Sequence, residues 1–164
     1  MSVSSVSGIR WLTESQQHAW RAFVLGSTLL MDQLDQELRR EFRISLTEYE
    51  ILVRLSERPH RVMRMAQLAA AVCHSRSRVT HTITRMEKAG LVAREDCLED
   101  GRGVQARMTE AGYDLLERAA PLHVKGVRSH LLDRCSDEDF AALGRVMDGV
   151  TDALIGQHPE AEIR

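Results

Sequence analysis

Aromatic residues make up only 4% of this 164-residue chain, which argues against a stacking platform for single-stranded nucleic acid. Nowhere do about 18 apolar residues follow one another, so no transmembrane helix is expected. The opening segment lacks the long apolar stretch that a secretory signal needs. The three cysteines are an odd number at unrelated spacings. They make no disulfide framework, and a reducing cytoplasm is the expected setting. Glycine-rich phosphate loop, nucleophile elbow and HExxH motif are all missing. The acidic clusters Glu95-Asp96 and Asp137-Glu138-Asp139 read as loop and cap residues, so an enzyme is not expected. The seven histidines are scattered, with no HxxxH pair and no CxxC beside them. His123 and His130 lie about 10 Å apart along a helix axis, too far to share one ion. No metal and no other cofactor is expected.

Charge is nearly balanced at −2, yet it is unevenly spread. Between Arg58 and Arg107 ten Arg/Lys face five Asp/Glu, which leaves the rest of the chain at −7. A basic face on an acidic scaffold fits a nucleic-acid partner.

The basic region is organised around Met65–Met108. Met65, Leu68, Ala69 and Val72 fit a short helix, and Ala69-Ala70-Ala71 allow a close crossing before the turn into Ser75. Ser75 suits an N-cap. In the helix after it, Val79, Ile83 and Met86 share one face at spacings of four and three. The opposite face carries Ser77, Arg78, Thr80, His81, Thr84, Arg85 and Lys88, and the helix's one acid is Glu87. Such a donor-rich face fits a helix that enters the DNA major groove. Arg78, His81 and Arg85 are the candidates for base edges or flanking phosphates. Ser75, Arg76 and Ser77 are the candidates for fixing the helix end on the backbone. Gly90 suits the left-handed position that ends the helix.

Leu91–Arg94 and Val104–Met108 then read as two strands, with Val104, Ala106 and Met108 toward one face. Between them, glycines on both sides of Arg102 let the backbone turn sharply and project that side chain. An arginine at a hairpin tip suits a narrow minor groove. Asp100 can pair with Arg102, either as an ordinary loop contact or as an orienting partner.

The flanks read as scaffold. Thr13 to Gln16 forms a capping box for a long helix to about Phe42, with Trp20, Phe23, Val24, Ser27, Leu30, Met31, Leu34 and Leu38 on its stripe. Ser45 to Glu48 forms a second box, opening a helix with Leu46, Tyr49, Leu52 and Val53 toward the core and stopped before Pro59. Arg58–Arg64 reads as a connector. Thr109-Glu110 caps a further helix that Pro121 should kink or divide. After Ser136, the positions Phe140, Leu143, Met147, Val150 and Leu154 repeat at spacings of three and four, the pattern of a helix–helix seam. With Trp20 and Phe23 these form the expected dimerisation surface. A ligand pocket, if there is one, is expected where the first two long helices meet the Pro121 helix, with His18, Trp20, Tyr49 and His123 as possible neighbours.

The expected fold is mainly α with a small β-hairpin wing: a winged helix-turn-helix joined to a helical dimerisation domain made by the N- and C-terminal helices. The expected division is a loose start (1–12), a dimerisation helix (13–44), a DNA-binding domain (45–108), C-terminal dimerisation helices (109–156) and a tail (157–164).

Arg64 to Ala69, Ser75 to Thr80, Gly90-Leu91-Val92 with Arg94, Asp100-x-Arg102 and Thr109 to Gly112 together resemble the MarR family of bacterial transcription regulators. The resemblance spans nearly the whole chain. It implies a triangular dimer on an operator duplex, usually a repressor relieved by a small molecule or an oxidant. It places wing contacts on Asp100 and Arg102, and recognition-helix contacts on the Ser75–Arg85 face. Two departures stand out: His81 where many members carry arginine, and Gly101 where a second wing arginine is common. The cysteine that some members use near the start of the first helix is absent.

The reading is a ligand-responsive homodimeric repressor on palindromic double-stranded DNA, with a small-molecule effector as a further partner. Two alternatives remain open: an architectural DNA-binding dimer of low specificity, and a redox regulator using Cys73, Cys97 or Cys135.

Overall fold

The computed structural model describes residues 8–96 and 103–155. Six α-helices run in chain order: α1 (Glu14–Phe42), α2 (Leu46–Ser56), α3 (Met65–Ala71), α4 (Arg76–Lys88), α5 (Glu110–His130) and α6 (Asp137–Ile155). Three short strands, β1 (Val62–Arg64), β2 (Val92–Asp96) and β3 (Val104–Met108), form an antiparallel sheet in the order β1-β3-β2. This is a winged helix-turn-helix with long helices at either end of the chain.

Local chemistry sets most boundaries. Thr13 and Ser45 each accept the backbone N–H three residues on, and Gln16 and Glu48 reach back to the cap N–H, closing both capping boxes. Gly90 ends α4 at φ +74°. Its N–H donates to Glu87 O, and that of Leu91 donates to Met86 O. This double bond pattern is a Schellman motif, which needs the left-handed conformation that glycine adopts freely.

The core lies where α2, α3 and α4 meet the sheet. Ile51, Leu52, Leu55, Leu68, Val79, Ile83 and Met86 are fully buried there, with Val92, Ala106 and Met108 beneath them. Each such large side chain contributes about 1.5–3 kcal/mol of burial. Leu34 and Leu38 bury only the C-terminal part of α1, which packs against α5. At Gly126 the two helices nearly touch: an added Cβ would lie 2.7 Å from Glu37 Oε2.

Two expectations are corrected and two are narrowed. Arg58–Arg64 is more than a connector, because Val62–Arg64 pairs with Gln105–Arg107 as an edge strand. Three residues are too few to show alternation. The first wing strand runs Val92–Asp96 rather than Leu91–Arg94, since Leu91 N–H is used in the helix cap. Pro121 does not divide α5, which continues through it as one helix. Pro121 and Glu117, whose carbonyl loses its donor, both lie on the exposed side, where water can replace the missing bond. Finally, Ile51 and Leu55 are fully buried while Leu46 and Val53 are only partly so, and Val104 is exposed at the far end of the sheet.

Among the described residues no helix is long and apolar enough to cross a membrane. Among the described elements, helix α6 stands apart, without substantial packing against any other. Its Phe140, Leu143, Val150 and Leu154 are exposed, as are Trp20 and Phe23 on α1; Met147 is half-buried.

Candidate nucleic-acid interface

Helix α4 is amphipathic in the strict sense. Val79, Thr82, Ile83 and Met86 are buried, whereas Arg76, Ser77, Arg78, Thr80, His81, Arg85 and Lys88 are exposed. Ser75 Oγ accepts the N–H of Arg78, so the hydroxyl caps the first turn. The turn before it is tight. Cys73 sits at φ +51°, and the N–H groups of Cys73 and His74 fold back onto Ala70 O and Ala69 O. His74 Nε2 lies 3.4 Å from Thr47 Oγ1. Burial and the nearby Arg78 charge hold this imidazole below its ordinary value.

Two candidate side chains are already engaged inside the protein. Thr84 Oγ1 donates to Thr80 O (2.9 Å) and accepts Nη2 of Arg94 (2.7 Å). Thr84 is accordingly half-buried and turned toward the wing. Arg85 Nε donates to Glu48 Oε1 at 2.9 Å. Thr82 Oγ1, which the sequence reading left out of the face, donates to Arg78 O within the helix. Among the described residues, the side chains of Arg78 and His81 make no such tie. Asp100 and Arg102 lie outside the described residues.

Arg94 is the residue whose role the sequence reading missed. Its backbone N–H and Nη1 both reach Glu87, and Nη2 donates to Thr80 O and Thr84 Oγ1. The only acid of α4 is therefore neutralised, and the first wing strand is fastened to the helix. One strand over, Arg107 Nε donates to Glu95 Oε1 at 2.6 Å and Nη1 to His60 O at 3.1 Å, bracing the base of the wing. Bonding from Arg107 holds the Glu95 carboxyl below its usual range. The motif Gly90-Leu91-Val92 with Arg94 was visible in the sequence, but the partners of Arg94 lie 7, 10 and 14 residues away, beyond local pattern reading.

Glu48 was legible as a cap but not as a tertiary partner. Burial alone would push its carboxyl up. Bonds from the Ser45 N–H, from Arg85 and from the Ser45 hydroxyl outweigh burial and hold it below the usual carboxylate range.

Of the expected pocket neighbours, only Tyr49 and His123 come together. Their rings lie 4.6 Å apart at 37°, and with Glu50, Val53 and Arg54 they line a cavity of about 250 Å³. His18 and Trp20 are exposed on α1 and do not reach it. Burial holds His123 below its ordinary value against the opposing pull of Glu37, and its Nδ1 has no partner among the described residues. Burial likewise pushes the Glu50 carboxyl up, and Arg54 offsets only part of this.

Cys73 is exposed and Cys135 half-buried, both as free thiols; Cys97 lies outside the described residues. No group of three or more His, Cys, Asp or Glu among the described residues could hold a metal ion.

Residues 44–104 match the family model of the MarR family. The chain is 30% identical over 125 residues to the HTH-type transcriptional regulator PecS of Dickeya dadantii, covering 73% of this chain and 74% of that protein. Among solved structures it is similar to Sco3205, a MarR family transcriptional regulator from Streptomyces coelicolor in complex with DNA. The match has a TM-score of 0.87 and 42% identity, over 90% of this chain and 92% of that one. It is also similar to AbsC, a MarR family transcriptional regulator from the same organism, with a TM-score of 0.85 and 42% identity over 90% and 99% of the two chains.

Proposed function

The chain belongs to the MarR family of transcriptional regulators, and on that premise we propose that it works in the cytoplasm as a homodimer on a palindromic DNA operator. The observation that carries this reading is the outer face of α4. Its exposed side chains are hydrogen-bond donors or cations, and its one acid is bound to Arg94. A solvated scaffold helix would mix both signs of charge. The relative Sco3205 was captured on DNA, which supports a groove-reading role for the matching helix here.

Dimerisation rests on the apolar side chains that the single chain leaves uncovered. Trp20 and Phe23 on α1 and Phe140, Leu143, Met147, Val150 and Leu154 on α6 form surfaces too apolar for a lone monomer. Two copies joined through them present two α4 helices to half-sites about one helical turn apart. Ser75, Arg76 and Ser77 fix the helix end on the backbone, Arg78, His81 and Arg85 face the groove, and Asp100 and Arg102 serve the wing.

Repression relieved by a small molecule is the regulatory part of the proposal. The Tyr49–His123 cavity lies between α2 and α5, where an occupant bears on both the DNA-binding core and the helices that pair the subunits. The occupant must favour one spacing of the two α4 helices over the other for this to work.

Selection of bound sequences from a random duplex pool tests the reading. A palindromic consensus supports it. Retention of DNA with no consensus and a steep salt slope would replace it with an architectural role.

A further inference from the structure

Glu48 and Arg85 lie 37 residues apart in sequence and meet between α2 and α4. The Glu48 side chain is 9% exposed and its carboxylate is engaged on both oxygens. Oε2 accepts the Ser45 N–H at 2.7 Å and the Ser45 hydroxyl at 2.8 Å, and Oε1 accepts Arg85 Nε at 2.9 Å. If Arg85 swung away, the buried Glu48 carboxylate would lose its hydrogen-bonded counter-charge and keep only the longer-range attraction of Arg39, so the arginine is held. Yet the Arg85 side chain is 61% exposed, and Nη1 and Nη2 make no hydrogen bond among the described residues.

A guanidinium is planar, with five donors in a fixed fork. Holding Nε–H against Glu48 restricts the swing of the guanidinium and leaves both Nη groups available on an exposed side chain. Two parallel N–H donors on those groups match O6 and N7 of a guanine in the major groove. A phosphate contact would make poorer use of the arrangement. Phosphate attraction draws on net charge, and a guanidinium balanced by a carboxylate at 2.9 Å adds little to it. Arg78, on the same helix, has no such balance.

We propose that Glu48 is a positioning residue that orients Arg85 to read one guanine in each half-site. Base discrimination then depends on a carboxylate that the DNA never touches. This rests on the reading above, in which α4 enters the major groove.

The test uses the full chain and the duplex selected from the random pool, with every base pair of one half-site replaced in turn. Wild type should discriminate roughly tenfold or more at one guanine, and 7-deazaguanine at that position should reproduce the loss. Arg85→Ala should flatten that one position. Arg85→Lys should weaken discrimination there, because one ammonium cannot rest against Glu48 and present a separate pair of donors to the base. Glu48→Gln keeps an oxygen to cap Ser45 but loses the charge that holds Arg85. It should flatten the same position several-fold while scrambled duplex binds more tightly, and thermal melting checks that it is folded. Glu48→Asp, whose shorter carboxylate withdraws from Arg85, should behave alike. Equal losses at all sequences for Arg85→Ala would overturn the proposal in favour of a phosphate contact. Full discrimination by folded Glu48→Gln and Glu48→Asp would overturn it alone. A wild type that discriminates at no position would overturn the sequence-specific reading and this inference together.

Discussion

Arg94 is tied to Glu87 twice: its backbone N–H donates to Oε1 at 3.1 Å and its Nη1 to Oε2 at 2.7 Å. The same guanidinium reaches Thr80 O and Thr84 Oγ1 from Nη2. Helix α4 and strand β2 are thus held by one side chain, which fixes where the wing leaves the helix. Arg94→Ala should cost about 1 kcal/mol of stability in denaturant melts, since the ion pair is partly exposed and Glu87 keeps the backbone N–H while Thr84 keeps its bond to Thr80 O. It should also weaken operator binding by misplacing the wing. Glu87→Gln should have a smaller effect, and the two together should cost less than the sum. Additive losses would mean that the pair does not act as a unit.

Arg102→Ala should weaken binding to the selected operator by about 1–3 kcal/mol if the arginine enters a groove. The fold should be unaffected, so melting temperature serves as the control. An unchanged Kd would remove Arg102 from the interface.

Leu143→Asp combined with Val150→Asp places two charges on the exposed apolar stripe of α6. Sedimentation should show a dimer for the parent chain and a monomer for the variant. Operator affinity should fall by at least about tenfold, because the two half-sites no longer share one binding event. A dimer that survives both charges would place the interface elsewhere.

Burial holds the His123 imidazole below its ordinary value of about 6.5. The unfolded chain therefore binds the proton more readily than the folded one. The stability this contributes is present above the unfolded value and is lost as pH falls through it. Melting temperature should decline as pH drops from about 7 to 5.5, and His123→Phe, which keeps a ring against Tyr49, should flatten that decline. An identical slope in the variant would assign the acid sensitivity to other groups. Glu37, held below the usual carboxylate range by Gln33 and His130, adds its own loss only below its ordinary value of about 4.5.

Gly112 is required by contact rather than by backbone conformation. A Cβ there would lie 2.2 Å from the carbonyl oxygen of Leu91, which accepts the Thr109 N–H at the start of α5. Gly112→Ala should therefore destabilise by about 1–3 kcal/mol or more, read as a lower denaturation midpoint. No loss would mean that the start of α5 can shift freely.

Short-range chemistry carried the sequence reading. The two capping boxes, the Ser75 cap, Gly90 and the inward Val79–Ile83–Met86 stripe were visible because each depends on residues no more than about four apart. The edge strand Val62–Arg64 was not, since its pairing with Gln105–Arg107 spans more than forty residues and three residues show no period. The same limit hid the partners of Arg94 and Arg85. Each looked like one more cation on a basic stretch, and only the fold shows that one clamps the wing and the other rests on a buried carboxylate. At Pro121 the local rule allowed a kink or a break, and the helix is unbroken because the lost bond faces solvent.

The most direct test of the central claim is a titration of the selected duplex against a scrambled one of equal length, at fixed salt, with stoichiometry read by sedimentation. The account predicts two chains per duplex and an affinity at least about a thousandfold higher than for scrambled DNA. Equal affinity for the two duplexes, or one chain per site, would contradict it.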